Sequence, residues 1–275
     1  ALARSAQSLD EPRYLEAATG AAQFLEGKLY NPGTGALKRR YRDGNVAIDG
    51  FLEDYAFLIQ GLLDLYEASF DVRWLRWAIR LQETQDRLFW DSREGGYFAT
   101  SGKDSSLLVR MRDDYDGAEP AANSIAAMNL LRLWQITGRE GWKEKADRTF
   151  AAFAGQLRAN PQAMPQLVVS FEFSLSKPKQ IVIAGRPDAP DTRALLRLVH
   201  GRFIPDKVLL LADGGEAQRQ LAEWLPFVKF MRPTGGRAPA YVCENYVCKS
   251  PSTDPKVVGR LLDTSANVSA AGANP

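Results

Sequence analysis

Apolar positions recur at three- and four-residue intervals through the first two thirds of the chain, the spacing that gathers them on one helix face. Such runs cover residues 3–9, 51–69 and 121–137, and each passes through a short turn (Asp10-Glu11, Phe70-Asp71, Gly138-Arg139-Glu140) into a second helical stretch. The second stretches open alike: Pro12-Arg13-Tyr14-Leu15-Glu16-Ala17-Ala18, Val72-Arg73-Trp74-Leu75-Arg76-Trp77-Ala78 and Gly141-Trp142-Lys143-Glu144-Lys145-Ala146. In each, an aromatic residue is followed four positions later by alanine, so a large ring and a small side chain share one face. This predicts helix–turn–helix hairpins spaced by 60 and then 68 residues. Between them, Asn31-Pro32-Gly33-Thr34-Gly35 running into residues 37–42, and Glu94-Gly95-Gly96-Tyr97-Phe98, predict small β excursions at one end of the helix pairs. A further apolar helix over about 164–175 opens a fourth hairpin. Helix-pair solenoid repeats run ~34–47 residues. The longer repeat with β excursions favours a closed α/α toroid over an open solenoid or an irregular bundle.

The pattern changes after Lys177-Pro178. A β-branched run over 180–184 ends at Gly185, and a second apolar run over 207–211 ends at Asp213-Gly214-Gly215. Helical stretches follow at 192–200 and 216–224, residues 241–248 alternate like a strand, and 254–262 closes as a helix. Strand–helix–strand–helix predicts a small parallel or mixed sheet. The fold class is therefore mainly α: a partial α/α toroid over 1–176, a small α/β domain over 177–263, and an Ala/Ser/Asn/Gly-rich flexible tail over 264–275. Ala1, Leu2, Ala3 and Ala6 read as the middle of a helix, and no initiator Met precedes them. The expectation is that natural chain lies upstream and that residues 1–9 pack on it.

Composition narrows the function classes. Lys+Arg 35 against Asp+Glu 33, net +2, gives no electrostatic case for nucleic acid or an anionic membrane. No apolar run approaches the ~20 residues of a membrane span, and the start has no signal-peptide character. The expected compartment is cytoplasmic. The single histidine, His200, ends a predicted helix, where the dipole favours imidazole. It leaves no paired histidines for catalysis.

Candidate chemistry gathers where two loops enter apolar helices. One segment is Asp49-Gly50-Phe51-Leu52-Glu53-Asp54-Tyr55. The other runs Arg110-Met111-Arg112-Asp113-Asp114-Tyr115-Asp116-Gly117-Ala118-Glu119-Pro120 and on to Asn123, with four acids in seven residues, 113–119. Loops of this kind surround the mouth of a toroid's cavity, and glycosidic acid–base chemistry needs two carboxyl groups roughly 5–9.5 Å apart. Asp54 and Asp116 are the candidate catalytic acids. Glu53, Tyr55, Arg112, Asp114, Tyr115, Glu119 and Asn123 are candidate ligand contacts. The competing reading is that the acids cap helices, since carboxylates favour helix N-termini.

With Asn245-Tyr246 as a two-residue turn, Cys243 and Cys248 become cross-strand neighbours, able to form a disulfide or a reversible dithiol. The alternative is two ordinary thiols in a half-buried strand. Their spacing is not that of a thioredoxin motif, and two cysteines do not make a four-ligand zinc site. Neither Gly185-Arg186-Pro187 nor Asp213-Gly214-Gly215 fits a nucleotide-binding pattern. No metal or cofactor is expected.

Asp43-Gly44, Gly50 to Leu58, Gly61-Leu62-Leu63-Asp64-Leu65-Tyr66-Glu67-Ala68 and Tyr115 to Pro120 with Asn123-Ser124 resemble the C-terminal portion of a thioredoxin-domain family with a spermatogenesis-associated vertebrate member. The match runs from Ala1 to about Leu262 and includes both cysteines. The resemblance implies an upstream thioredoxin-like domain and the earlier hairpins of a six-hairpin toroid, like those of N-acylglucosamine 2-epimerases and six-hairpin glycosidases. The expected partners are that upstream part of the same protein and a sugar-like or other polar ligand. The epimerase mechanism relies on paired histidines, so here its bases would come from upstream. Three functions follow: a sugar-active or sugar-binding toroid, a binding platform serving a redox or protein-quality module, and a scaffold without catalysis.

Overall fold

In a computed structural model, the structure describes residues 1–103, 107–244 and 247–263. The chain forms two compact units, Ala1–Leu175 and a second from Ser176 onward.

The first unit is a row of helical hairpins. The first pairs α1 (Leu2–Leu9) with α2 (Pro12–Lys28), the second α3 (Leu52–Ser69) with α4 (Val72–Phe89), and the third α5 (Ala122–Thr137) with α6 (Glu140–Ala152). A short helix α7 (Ala154–Ala159) and a 3-10 turn lead to α8 (Pro165–Leu175). The leading helices pack on one another in order, α1 on α3, α3 on α5 and α5 on α8, while α2, α4 and α6 each back their own hairpin mate. These two layers are the arrangement of an α/α toroid, present here as part of a ring. Burial follows the layers. α5 is buried along almost its whole length, polar residues included, whereas α4 buries one face built on Trp74, Leu75, Ala78 and Leu81. Trp74 with Ala78, and Trp142 with Ala146, are buried pairs; Tyr14 and Ala18 on α2 are only half-buried. The hairpin turns use left-handed backbone, at Asp10, Phe70 and Gly138. Asp71 caps α4 by accepting from the Arg73 amide.

The β excursions are more alike than their sequences. Residues 31–38 and 91–98 form the same turn 60 positions apart. Asn31 Oδ1 accepts from the amides of Gly33 and Thr34, and Asp91 Oδ1 from those of Arg93 and Glu94. Gly35 and Gly95 then donate to the carbonyls of Asn31 and Asp91, both glycines in left-handed backbone. A Cβ on Gly95 would stand 2.6 Å from the Arg148 carbonyl oxygen, so only glycine fits there. Single antiparallel bridges close the turns, Tyr30 to Leu37 and Trp90 to Tyr97. The first excursion continues as a hairpin of β1 (Lys38–Arg42) and β2 (Asn45–Asp49). The second has the Trp90 bridge in place of the strand expected over 94–98, because Arg112 and Asn123 side chains hold its backbone from outside a ladder.

The second unit is a mixed sheet in the order β4-β3-β5-β6. Its strands are β3 (Lys179–Ala184), β4 (Lys207–Ala212), β5 (Ala240–Glu244) and β6 (Val247–Cys248). β3 lies parallel to β4 and antiparallel to β5, and it is buried along its whole length, Lys179 and Gln180 together with the apolar run 181–184. Helices α9 (Pro190–His200), α10 (Glu216–Trp224) and α11 (Pro255–Asp263) pack on β3, β4 and β5 respectively. Asp213 caps α10 through the amides of Gly215 and Gln218. His200 sits at the end of α9. The expected turn at Asn245-Tyr246 and the tail over 264–275 lie outside the described residues.

Candidate functional site

The entry to α3 splits its candidate residues between rim and core. Asp54, in the first turn of the helix, reaches back to accept from the Phe51 amide at 2.8 Å. The same carboxylate oxygen takes a 3.2 Å contact from Arg39 on β1. Arg39 also bridges Glu53 at 2.5 Å and lies over the Phe51 ring. One guanidinium thus serves two carboxylates. Burial pushes the Asp54 carboxyl above the ordinary carboxylate value, against the lowering pull of the Phe51 amide and Arg39. Tyr55 turns the other way. It is 1% exposed, its ring packs edge-on to Phe89, and its hydroxyl accepts from the Leu37 amide at 2.8 Å. Burial raises its pKa as well.

At the entry to α5 the side chains hold backbone. Arg110 donates to the carbonyls of Thr100 and Leu88 and stacks over Phe98. Arg112 donates to the Gly95 carbonyl and pairs with Asp91 at 3.7 Å. Asp114 pairs with Gln156, and Tyr115 is exposed with its ring beside Gly117. Asp116 is buried. Its Oδ1 accepts from the Ala121 amide at 2.7 Å, and its Oδ2 from the amides of Gln166 at 2.8 Å and Leu167 at 3.3 Å. One carboxylate therefore caps the starts of both α5 and α8. Asn123, fully buried, clamps Tyr97, accepting from its amide at 2.8 Å and donating to its carbonyl at 2.9 Å.

A cavity of about 620 Å³ opens between α1, α2 and α3. Its trough is apolar, with Leu2, Ala22, Leu25, Phe57, Leu58 and Leu62 in the walls, and its charged rim comprises Lys38, Arg39, Glu53, Asp54 and Glu119. Glu53 and Asp54 come from the first entry segment and Glu119 from the second. Tyr55, Arg112, Asp114, Tyr115, Asp116 and Asn123 do not line it. Asp116, the other candidate acid, does not share this cavity with Asp54: its carboxylate is turned onto three backbone amides. Sequence reasoning missed Lys38 and Arg39. The available signal was the basic run Lys38-Arg39-Arg40, which a hairpin returns toward the acidic start of α3. It also missed Asp64, which reaches the cavity wall from a buried ionic cluster. Arg132 donates to Asp64 at 2.8 Å and approaches Glu67 at 3.3 Å, and Arg4 closes on Asp64 at 2.9 Å. Burial would raise the Asp64 carboxyl, but Arg132 and Arg4 hold it below the usual carboxylate value.

In the second unit, Cys243 of β5 faces Cys248 of β6, with Cα atoms 3.8 Å apart and a disulfide between them. No helix among the described residues is long and apolar enough to cross a membrane.

These features define a mainly α protein of the helical-hairpin, partial-toroid class with a small α/β unit after it. Among proteins of known sequence, the chain is 45% identical over 263 residues to spermatogenesis-associated protein 20 of Homo sapiens, covering 92% of this chain and 33% of that protein. The Mus musculus protein of the same name is 46% identical over 254 residues, 89% of this chain and 32% of that one. An uncharacterized protein of Caenorhabditis elegans is 33% identical over 269 residues, 91% of this chain and 34% of its own length. The resemblance to the spermatogenesis-associated family is thus borne out, and the chain spans about a third of the length of the curated relatives it matches. No protein-family model matches the chain. A GH76 alpha-mannanase of Bacteroides thetaiotaomicron overlaps with a TM-score of 0.44 at 18% identity, over 56% of this chain and 41% of that one, a likeness too slight to carry an argument.

Proposed function

We propose that the first unit is a ligand-binding part of a toroid, holding a small polar, sugar-like ligand at the charged rim of its cavity. The observation that carries this reading is that one cavity collects Glu53 and Asp54 from one helix entry and Glu119 from the other, with Arg39 between two of the carboxylates. Hydroxyl-rich ligands are recognised by such mixed donors and acceptors around an apolar floor. Acid–base chemistry at this rim would fall to Asp54, whose carboxyl is pushed up by burial, with Glu53 or Glu119 as the second carboxylate.

The partner we place in the apolar trough is a helix from the upstream part of the same protein. α1 spans 8 residues, about 12 Å at 1.5 Å per residue. α2 spans 17 and α3 spans 18, so the later turns of α2 and the first turns of α3 extend past α1 and line the trough. A seated helix would cover the leucines and leave the charged rim as the open pocket.

Titration calorimetry with neutral, amino and acidic monosaccharides tests the ligand reading. Saturable binding that falls at least tenfold in Glu53→Gln and Glu119→Gln, with an unchanged thermal midpoint, supports it. Binding indifferent to both substitutions, or no binding by either this chain or a longer one carrying the upstream helices, defeats it.

A further inference from the structure

We propose that the Cys243–Cys248 disulfide is a thiol-exchange site, attacked at Cys248 by a dithiol, and that its reduction releases the edge segment lying along β5. The two sulfurs occupy opposite environments. Cys243 is fully buried in β5, where it also pairs in register with Gln180 of β3. Cys248 is exposed, in a strand of two residues whose other member, Val247, is 72% exposed. A thiolate from solution therefore reaches one sulfur, and the protein decides which bond end is attacked.

Among the described residues, this edge is held by the disulfide, by the two-residue pairing of β6 with β5, and by three main-chain hydrogen bonds beyond β6: the Lys249 amide to the Val242 carbonyl at 3.0 Å, and a reciprocal pair between Ala240 and Ser252 at 2.9 and 3.2 Å. The β6 side chains bury almost nothing to add to them. Local opening has a low cost in a segment of this kind, so the covalent bond is the principal tether.

The exchange balances as follows. One thiolate of the dithiol bonds to Cys248 Sγ, the Cys243–Cys248 bond breaks, and Cys243 leaves as a thiolate that takes a proton. The dithiol's second thiolate attacks its own sulfur in the mixed disulfide, and Cys248 leaves as a thiolate that is protonated in turn. The dithiol departs as a cyclic disulfide, and two electrons have passed to the chain. In the reduced chain, opening of 247–252 bares the outer main-chain groups of β5, the kind of edge that accepts an extended strand.

The test uses the full chain, folded, in dithiothreitol and in mixed reduced and oxidised glutathione, quenched by alkylation and weighed by mass spectrometry. The proposal expects reversible interconversion of disulfide and dithiol forms without loss of helicity. Glutathione trapped on the wild-type chain should map to Cys248. The Lys249 and Ser252 amides should exchange hydrogen at least tenfold faster after reduction. A disulfide that yields only in denaturant, a mixed disulfide mapping to Cys243, or unchanged exchange at those amides would each overturn it. A Cys243→Ser chain that takes glutathione at Cys248, beside a folded Cys248→Ser chain that takes none at Cys243, separates site selectivity from unfolding.

Discussion

The second and third hairpins grip the turns that precede them by the same two contacts, made with different residues. At α3, Asp54 holds the amide of the N-cap residue, Phe51, and the Tyr55 hydroxyl holds the Leu37 amide. At α5, Asp116 holds the amide of the N-cap residue, Ala121, and the Asn123 carboxamide holds Tyr97. Leu37 and Tyr97 are equivalent positions of the 60-residue repeat, both closing an antiparallel bridge. The difference lies in where each carboxylate starts. Asp54 comes from inside the helix, one turn along, and keeps a solvent-facing side that meets Arg39. Asp116 comes from five residues upstream and has the reach to gather α8 as well, which buries it. An acid before an apolar helix is thus a strut or a rim group according to which side of the helix start it occupies.

If that distinction holds, Asp116→Ala produces the largest loss. It strips the acceptor from three amides at two helix starts, a cost of about 3 kcal/mol by the values for charged hydrogen bonds and lost caps. Urea unfolding followed by circular dichroism reads it. A change below about 1 kcal/mol would mean that water replaces the carboxylate there. Asn123→Ala comes next, at about 2 kcal/mol, because both main-chain groups of a buried Tyr97 lose their partner. Tyr55→Phe removes a single acceptor and should cost about 1 kcal/mol. Equal losses for the last two would mean that the second hydrogen bond of Asn123 adds nothing measurable.

Acid titration sets two carboxylates of α3 against each other. The folded pKa of Asp64 is lowered, so its contribution is complete above the ordinary carboxylate value and is lost as pH falls through the folded value. The folded pKa of Asp54 is raised, so its contribution is complete below the ordinary value and is lost as pH rises through the folded one. Thermal midpoints of wild type and Asp54→Asn should therefore lie together near pH 3, where the carboxyl is protonated like the carboxamide, and the wild type should fall below the variant toward pH 6. The substituted carboxamide, with its own acceptor oxygen, would keep the Phe51 cap throughout. A wild-type advantage that grows with pH would reverse the assigned direction.

The hairpins were legible because aromatic–alanine pairs and helix-period runs repeat, and the strands of the second unit because apolar runs stop at glycine. The shared turn geometry of 31–38 and 91–98 was not, since Asn31-Pro32-Gly33-Thr34-Gly35 and Asp91-Ser92-Arg93-Glu94-Gly95 have only an Asx residue and a terminal glycine in common. Sequence placed Glu53, Asp54 and Glu119 among site residues, and all three line the cavity. It placed Tyr55, Asp116 and Asn123 there for the same reason, polar residues at a helix entry, and could not see that their atoms were already engaged by backbone. Arg39 was hidden because its role depends on β1 folding back toward α3. Asp64, Glu67 and Arg132 are charged residues inside apolar helices, a readable anomaly whose partners only packing reveals.

The smallest expected change in stability is at the rim, and there it is the most informative. Glu53 pairs with Arg39, but both side chains are more than a third exposed, and pairs of that kind contribute about 0–1 kcal/mol. Glu119 is exposed at the cavity mouth. The double substitution Glu53→Gln, Glu119→Gln should therefore leave the unfolding midpoint close to that of the wild type, the reverse of Asp116→Ala. Arg39 would keep Asp54 as its partner, so the hairpin and the start of α3 should stay in place. Loss of ligand response with an unmoved midpoint would separate rim groups from struts by function as well as by geometry. A midpoint that drops as far as in Asp116→Ala would instead make Glu53 and Glu119 struts too, and the contrast between the two helix entries would disappear.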